Sequence, residues 1–256
     1  MIDLHSHILP GLDDGARDLD DALGIARAAV ADGTRAIAAT PHVRDDYPTT
    51  PERMEAAVAE LRAAFARERI DLELLPGAEL ALDELDRSPD ELRRFGLGGN
   101  PEYILVEMPY ADWPLSFADI VFRLVAQGVT PVIGHPERNQ AVQEEPERLA
   151  QLVRTGALVQ LTAASLDGRL GSRARTCAVR LLDAELVHLI GSDAHSPEVR
   201  GVGLAAAAKA VGDDALAAWL TEHVPAAIVA GKDLPQRPGR PRRRRPARVL
   251  SRLRGR

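Results

Sequence analysis

Short runs of aliphatic and β-branched residues recur along the chain at 1–5, 35–40, 71–80, 103–107, 130–134, 157–161 and 186–191, most of them the length of a buried strand. Between most of these runs the apolar positions fall at helical spacing. Asp18 can cap a helix with Leu19, Leu23, Ala26 and Val30 on one face, ending near Gly33. Thr50 ahead of Pro51 opens a second, with Met54, Val58, Leu61 and Phe65 as its stripe. The same reading predicts helices over 116–127, 145–154, 172–183 and 204–210. Strands alternating with helices imply βαβ crossovers and a parallel sheet, and seven such units favour a closed α/β barrel over an open sheet. In parallel barrels the reactive groups gather at the carboxyl rim, so chemically capable side chains should sit where the predicted strands end.

Composition narrows this only a little. An apolar fraction of 45% and a charged fraction of 27% over 256 residues suit an ordinary folded domain. No basic-then-apolar leader opens the chain, and no segment offers the ~18 apolar residues of a membrane span. With Cys177 as the one cysteine, a cytoplasmic protein without disulfides is expected. Charge says more, because it is unevenly spread. Residues 234–256 hold ten of the 32 basic residues, all arginine, with four prolines and no acid, which leaves 22 basic against 38 acidic residues elsewhere. Residues 1–231 are read as one acidic folded domain and 232–256 as a disordered basic appendage. An acidic body argues against specific nucleic-acid binding, since phosphate neutralisation needs a cationic face. The arginine-rich end suits an acidic partner or a membrane surface.

The histidines make the strongest pattern. Of seven, five fall at or just after predicted strand ends: His5 and His7, His42, His135 and His195; His188 and His223 do not. Each position alone is weak evidence, but four separate rim sites acquiring histidine together is not a chance of composition. Carboxylates obey the same rule: Asp14 follows the first strand, Glu79 and Glu107 end apolar runs, and Asp193 precedes His195 by two. Asp-Asp-Gly is also a common turn, so for Asp14 the spacing alone leaves that alternative open. Nine donors exceed the roughly four to six that one divalent ion takes, so two or three ions are implied. The absence of thiolate favours manganese, iron, zinc or magnesium over soft metals.

Six segments resemble the motifs of the polymerase-and-histidinol-phosphatase (PHP) family: His5-Ser6-His7, Thr40-Pro41-His42, Gly77-Ala78-Glu79, Val106-Glu107-Met108-Pro109, Gly134-His135-Pro136-Glu137-Arg138 and Gly191-Ser192-Asp193-Ala194-His195. The opening run from Ile2 to Gly15, ending in Asp13-Asp14-Gly15, together with His-Pro-Glu-Arg, is similar to its bacterial manganese-dependent tyrosine phosphatase branch of CpsB/CapC type. The resemblance implies a distorted TIM-like (β/α)7 barrel, the PHP fold, with a trinuclear metal site at the C-terminal rim. It implies one ion on His5, His7, Glu79 and Asp193, a second on Glu79, Glu107 and His135, and a third on Asp14, His42 and His195, with manganese the foremost metal. Arg138 and Arg200 match the phosphate-contacting arginines, although Gly201 stands where the branch usually has proline. The implied substrate is phosphotyrosine on an autophosphorylated bacterial tyrosine kinase that controls capsule or exopolysaccharide synthesis, and an oligomeric enzyme is compatible with the family.

Divalent ions lower the pKa of bound water and offset phosphoryl charge, so no protein nucleophile is required. Arg138 and Arg200 would clamp non-bridging oxygens, and a phenolate, with a pKa of about 10, needs less acid assistance than an alkoxide. A cysteine-dependent mechanism is excluded, because Cys177 is followed at the required spacing by Asp183 rather than arginine. Walker and Rossmann glycine loops are absent. Two other readings stand beside this one: a phosphatase of histidinol phosphate or another small phosphomonoester, and a metal-binding regulatory protein whose tail recruits a partner.

Overall fold

The computed structural model describes residues 1–239. Among them ten strands run in chain order as β1 (Ile2–Ser6), β2 (Ala36–Ala39), β3 (His42–Arg44), β4 (Tyr47–Pro48), β5 (Glu73–Leu75), β6 (Glu79–Leu80), β7 (Tyr103–Glu107), β8 (Thr130–Gly134), β9 (Leu158–Thr162) and β10 (Leu189–Gly191). β1, β2 and β5 form one parallel sheet; β10-β9-β8-β7-β6-β3-β4 form the other, parallel except at the β3–β4 hairpin.

The run at 71–80 predicts one unbroken strand, and 42–44 no strand at all. Instead β5 passes into β6 across Pro76-Gly77-Ala78, and β2 into β3 across Thr40-Pro41. The prolines cannot donate to a ladder, so pairing lapses there and each strand shifts from one sheet to the other. Hydrogen bonds hold the joints: Thr40 N donates to Ser6 O at 2.8 Å and Glu79 N to Pro41 O at 3.0 Å. The remaining seam, between β1 and the end of β10, is closed by Asp193 N to His5 O and His7 N to Ala194 O, both 2.8 Å. Asp3, buried in β1, adds its carboxylate, which accepts from Ser192 N at 2.9 Å. With each broken strand counted once, the chain closes a distorted (β/α)7 barrel, the fold that the sequence predicts.

Asp18 caps α1 (Leu19–Ala31) by accepting from Asp21 N. Its buried face, however, is Ala22, Leu23, Ile25, Ala26 and Ala29. Leu19 and Val30 are 41% and 40% exposed, because the 22-25-26-29 repeat turns them to the flank of the stripe. In α2 (Pro51–Glu68) the expected stripe holds: Met54, Val58, Leu61 and Phe65 are buried, each contributing about 1.5–3 kcal/mol. Helices Phe117–Ala126, Arg148–Thr155, Ser172–Asp183 and Leu204–Val211 follow the predicted ones, whereas Pro89–Arg94, Gln140–Glu144 and Ala163–Leu166 are too short to show a period in the sequence.

Residues 232–239, assigned by composition to the disordered appendage, pack back on the domain. Trp219 Nε1 donates to Pro235 O at 2.9 Å, Arg237 donates to Val187 O at 2.6 Å, and the Arg237 guanidinium lies 5.2 Å from the Trp219 ring centroid. A stacked guanidinium finds a partner that an Arg- and Pro-rich composition conceals. The rest of the appendage, 240–256, lies outside the described residues. No helix among the described residues is long and apolar enough to cross a membrane.

Candidate metal centre

The barrel brings strand ends that are far apart in sequence to one rim. His5 and His7 come from the end of β1, Asp14 from the turn beyond it, His42 and Glu79 from the starts of β3 and β6 just past the strand breaks, and Glu107 from the end of β7. His135 follows β8; Asp193 and His195 follow β10. The turn is pressed hard onto β1: a Cβ on Gly15 would lie 2.1 Å from His7 O, so only glycine fits. His135 and Asp193 both adopt left-handed backbone, φ 38° and 54°, a conformation held only where the surroundings fix it.

His5 Nε2 and His7 Nε2 face each other at 3.3 Å. Glu79 Oε2 lies 3.3 and 3.4 Å from them, and Asp193 Oδ1 3.5 and 3.3 Å. On one side His135 Nε2 is 2.7 Å from Glu79 Oε1. On the other, His42 Nδ1 is 3.2 Å from Glu79 Oε2, and Asp14 Oδ1 is 3.4 Å from both His42 Nε2 and His195 Nε2. Three overlapping sets result, His5/His7/Asp193, His5/Glu79/His135 and His7/Asp14/His42/His195, with donor atoms within 4.8 Å of one another in each. Glu107 stands slightly apart from these sets. Its Oε2 is 3.6 Å from His42 Nδ1 and its Oε1 accepts from Arg44 at 3.0 Å.

Two residues outside the predicted set decide what the imidazoles offer. Gln160 Nε2 donates to Leu161 O, which leaves its Oε1 to accept from His5 Nδ1 at 2.8 Å; Asp13 Oδ2 accepts from His7 Nδ1 at 2.7 Å. Each ring therefore carries its proton on Nδ1 and turns a bare lone pair inward at Nε2. Two such lone pairs and two carboxylate oxygens converge, all buried. Burial alone pushes the His5 and His7 imidazoles down, yet Glu79 and Asp193 raise His5, and Asp13 raises His7 well above the ordinary range. Positive charge is demanded there, as a proton or as a metal ion. Glu79 Oε2 is moreover buried with no hydrogen-bond partner, a cost that coordination would remove. An imidazole and carboxylate set without thiolate fits divalent ions of borderline or hard character.

Both predicted arginines reach this cluster. Arg138 and Arg200 donate to the same atom, Asp193 Oδ2, at 2.7 and 2.8 Å, and both remain partly open to solvent. Further residues of the site escaped the sequence reading. Asp13 was legible only as a turn residue, and Gln160 only as a polar residue inside an apolar strand. Arg44, Tyr47 and Tyr110 carried no signal. Glu137, within the His-Pro-Glu-Arg segment, accepts from Thr162 N and Ser165 Oγ and so ties the turn bearing His135 and Arg138 to the end of β9; burial pushes its carboxyl up.

This parallel barrel, with imidazole lone pairs and carboxylates gathered at its carboxyl rim, is a PHP-type barrel with clustered groups that could bind metals. Within that class the chain belongs to the family described as capsular polysaccharide synthesis, CpsB/CapC, whose model matches residues 1–221. Among its relatives is the tyrosine-protein phosphatase YwqE of Bacillus subtilis, 39% identical over 78% of this chain and 79% of that one. A solved structure from the work on YwqE of Bacillus subtilis and CpsB of Streptococcus pneumoniae, described as metal-dependent tyrosine phosphatases, superposes with TM-score 0.84 at 33% identity, covering 94% of this chain and 100% of that one. Histidinol phosphate phosphatase of Lactococcus lactis, at TM-score 0.55 and 13% identity over 86% of this chain and 96% of that one, shares the fold alone.

Proposed function

We propose that this chain is a metal-dependent protein-tyrosine phosphatase, working with manganese in the cytoplasm on an autophosphorylated tyrosine kinase that regulates capsule or exopolysaccharide synthesis. The observation that carries the reading is the convergence of the His5 and His7 lone pairs with Glu79 and Asp193, directly beside two arginines that share one Asp193 oxygen. In this reading His5, His7, Glu79 and Asp193 would hold one ion, Glu79, Glu107 and His135 a second, and Asp14, His42 and His195 a third.

Bound divalent ions would supply an ionised water near neutral pH and offset charge on the phosphoryl group. The chain's own residues do the rest. Gln160 and Asp13 keep the His5 and His7 protons on Nδ1, which holds the Nε2 lone pairs inward. Arg138 and Arg200 spend only one donor each on Asp193, so their remaining N–H groups are available to clamp phosphoryl oxygens, where planar guanidinium forks fit best. Cys177 takes no part: it lies on the buried face of the Ser172–Asp183 helix and burial pushes its thiol up to about 12.

Metal analysis of the purified chain, combined with manganese-stimulated phosphate release from a phosphotyrosine peptide and from histidinol phosphate, tests the reading. Bound divalent metal and preferential turnover of the peptide are expected. Full activity after exhaustive chelation, or faster turnover of histidinol phosphate, would overturn it.

A further inference from the structure

Two tyrosines stand at the rim in matching relation to the cluster. Tyr47 lies against His42 with ring planes 15° apart and centroids 5.9 Å apart; Tyr110 lies against His135 at 9° and 6.0 Å. His42 approaches Glu79 Oε2 and His135 approaches Glu79 Oε1, so the two phenol rings flank the carboxylate at the cluster's centre. Each ring also has a guanidinium over it, Arg44 at 5.1 Å and Arg138 at 4.7 Å. Tyr110 is nevertheless 50% exposed. A ring serving only to fill the core would be covered.

The main chain that carries Tyr110 is also held in place. Asn139 Nδ2 donates to Pro109 O at 2.6 Å, Asp112 O at 3.0 Å and Ala111 O at 3.4 Å, and Tyr110 O accepts from Gln140 N at 2.9 Å. The 109–112 loop is thereby fastened to the turn that bears His135 and Arg138, which sets the backbone under the phenol beside the guanidinium. Tyr47 is held by its pairing with Arg44 in the β3–β4 hairpin.

We propose that Tyr110 and Tyr47 are specificity-determining walls that receive the ring of an aryl phosphate and favour it over an alkyl phosphate of equal charge. The proposal deepens the phosphatase reading and rests on it for the reaction, though not for the binding preference. A phenyl group set beside a fixed phenol gains ring contacts that an alkyl ester cannot make, and these add to whatever the arginines and metal contribute through the phosphoryl oxygens.

The test is calorimetric binding of phenylphosphonate and methylphosphonate to the manganese-loaded full chain, run beside hydrolysis of a phosphotyrosine peptide. The wild type should bind phenylphosphonate about tenfold more tightly than methylphosphonate. Tyr110→Ala should cut that ratio by roughly three- to tenfold and Tyr47→Ala should also reduce it, while Tyr110→Phe, which keeps the ring, should preserve it. A ratio that neither alanine variant alters overturns the walls, even with peptide hydrolysis intact. A ring-dependent ratio in a chain that hydrolyses no phosphomonoester leaves the walls standing and overturns the phosphatase reading instead.

Discussion

His188 and the five rim histidines belong to the same barrel but lie at opposite ends of its strands, and their imidazoles meet opposite fates. His188 stands just before β10, where its Nδ1 accepts a hydrogen bond from Val159 N at 3.1 Å. Burial, with the nearby Arg237 charge, pushes it down to about 4, so it stays neutral. At the carboxyl rim, Asp13 and Gln160 take the Nδ1 protons of His7 and His5, and Nε2 is left facing other lone pairs. A backbone N–H meets the His188 lone pair, whereas the His5 and His7 Nε2 atoms face each other, so an imidazole lone pair is satisfied in one place and stranded in the other. The difference teaches that the company at a strand end, more than the residue type, decides whether a histidine is structural or chemical.

The sharpest way to break the comparison is to disturb the rim without touching its metal donors. Arg138→Ala should lower turnover of a phosphotyrosine peptide by about 10²–10³-fold, the usual cost of removing one donor to a developing charge, while metal content stays at the wild-type value. Loss of metal together with activity would make Arg138 a structural brace of Asp193 rather than a phosphate clamp.

At the opposite end the effect is on stability. The unfolded His188 titrates near 6.5 and the folded one at about 4, so between those pH values the unfolded chain binds the additional proton and stability falls as pH drops. The loss is complete below about pH 4 and amounts to about 3 kcal/mol. His188→Gln keeps an acceptor for Val159 N and removes the titration. Denaturant unfolding should show the wild type losing that amount relative to the variant between pH 6.5 and 4; parallel curves would place His188 in solvent-like surroundings. His5 and His7 behave oppositely in chelated protein. Their raised values add stability below about pH 6.5 that is lost as pH rises through the folded-state pKa.

A smaller change probes the Nδ1 partners. Asp13→Asn leaves a hydrogen-bond partner for His7 but removes the carboxylate charge, and should weaken manganese binding about 10–100-fold. A metal titration monitored by isothermal calorimetry reads this directly. Unchanged affinity would mean that the Asp13 charge contributes nothing to ligand strength and that the residue merely shapes the Asp13-Asp14-Gly15 turn.

Much of the rim was legible because a barrel ties chemistry to strand ends, and the strand ends at 107 and 134 are also the ends of unmistakable apolar runs. The breaks at Pro41 and Pro76 were harder, since apolar residues on both sides conceal where the ladder lapses. Gln160 and Asp13 could not be assigned, because their roles toward the imidazoles are hydrogen bonds to rings 155 and 6 residues away, and no periodicity records a bond between side chains. Glu107 shows the limit from another direction: its strand position was right, but which neighbours it meets depends on Arg44, whose reach belongs to the hairpin of β3 and β4. The α1 stripe held at Leu23 and Ala26 but not at Leu19 and Val30 for a related reason. Four candidates at helical spacing lie on one side of the helix, but only packing against the barrel decides where the centre of that side falls.

The mildest test concerns what keeps His188 neutral. Arg237 donates to Val187 O, stacks over Trp219 and lowers the His188 imidazole after burial has done most of that work. Arg237→Gln removes the charge and the stacking, so it should cost about 1 kcal/mol of stability and move the His188 titration upward, shrinking the acid-dependent loss described above. Metal content and phosphatase turnover should not follow, because Arg237 acts at the strand ends away from the donors. An NMR titration of the His188 ring in both forms distinguishes the two contributions. An unmoved titration would leave burial as the whole cause, and the two ends of the barrel would then differ by solvent exclusion and hydrogen bonding alone, with no part played by the arginine that returns from the chain's basic end.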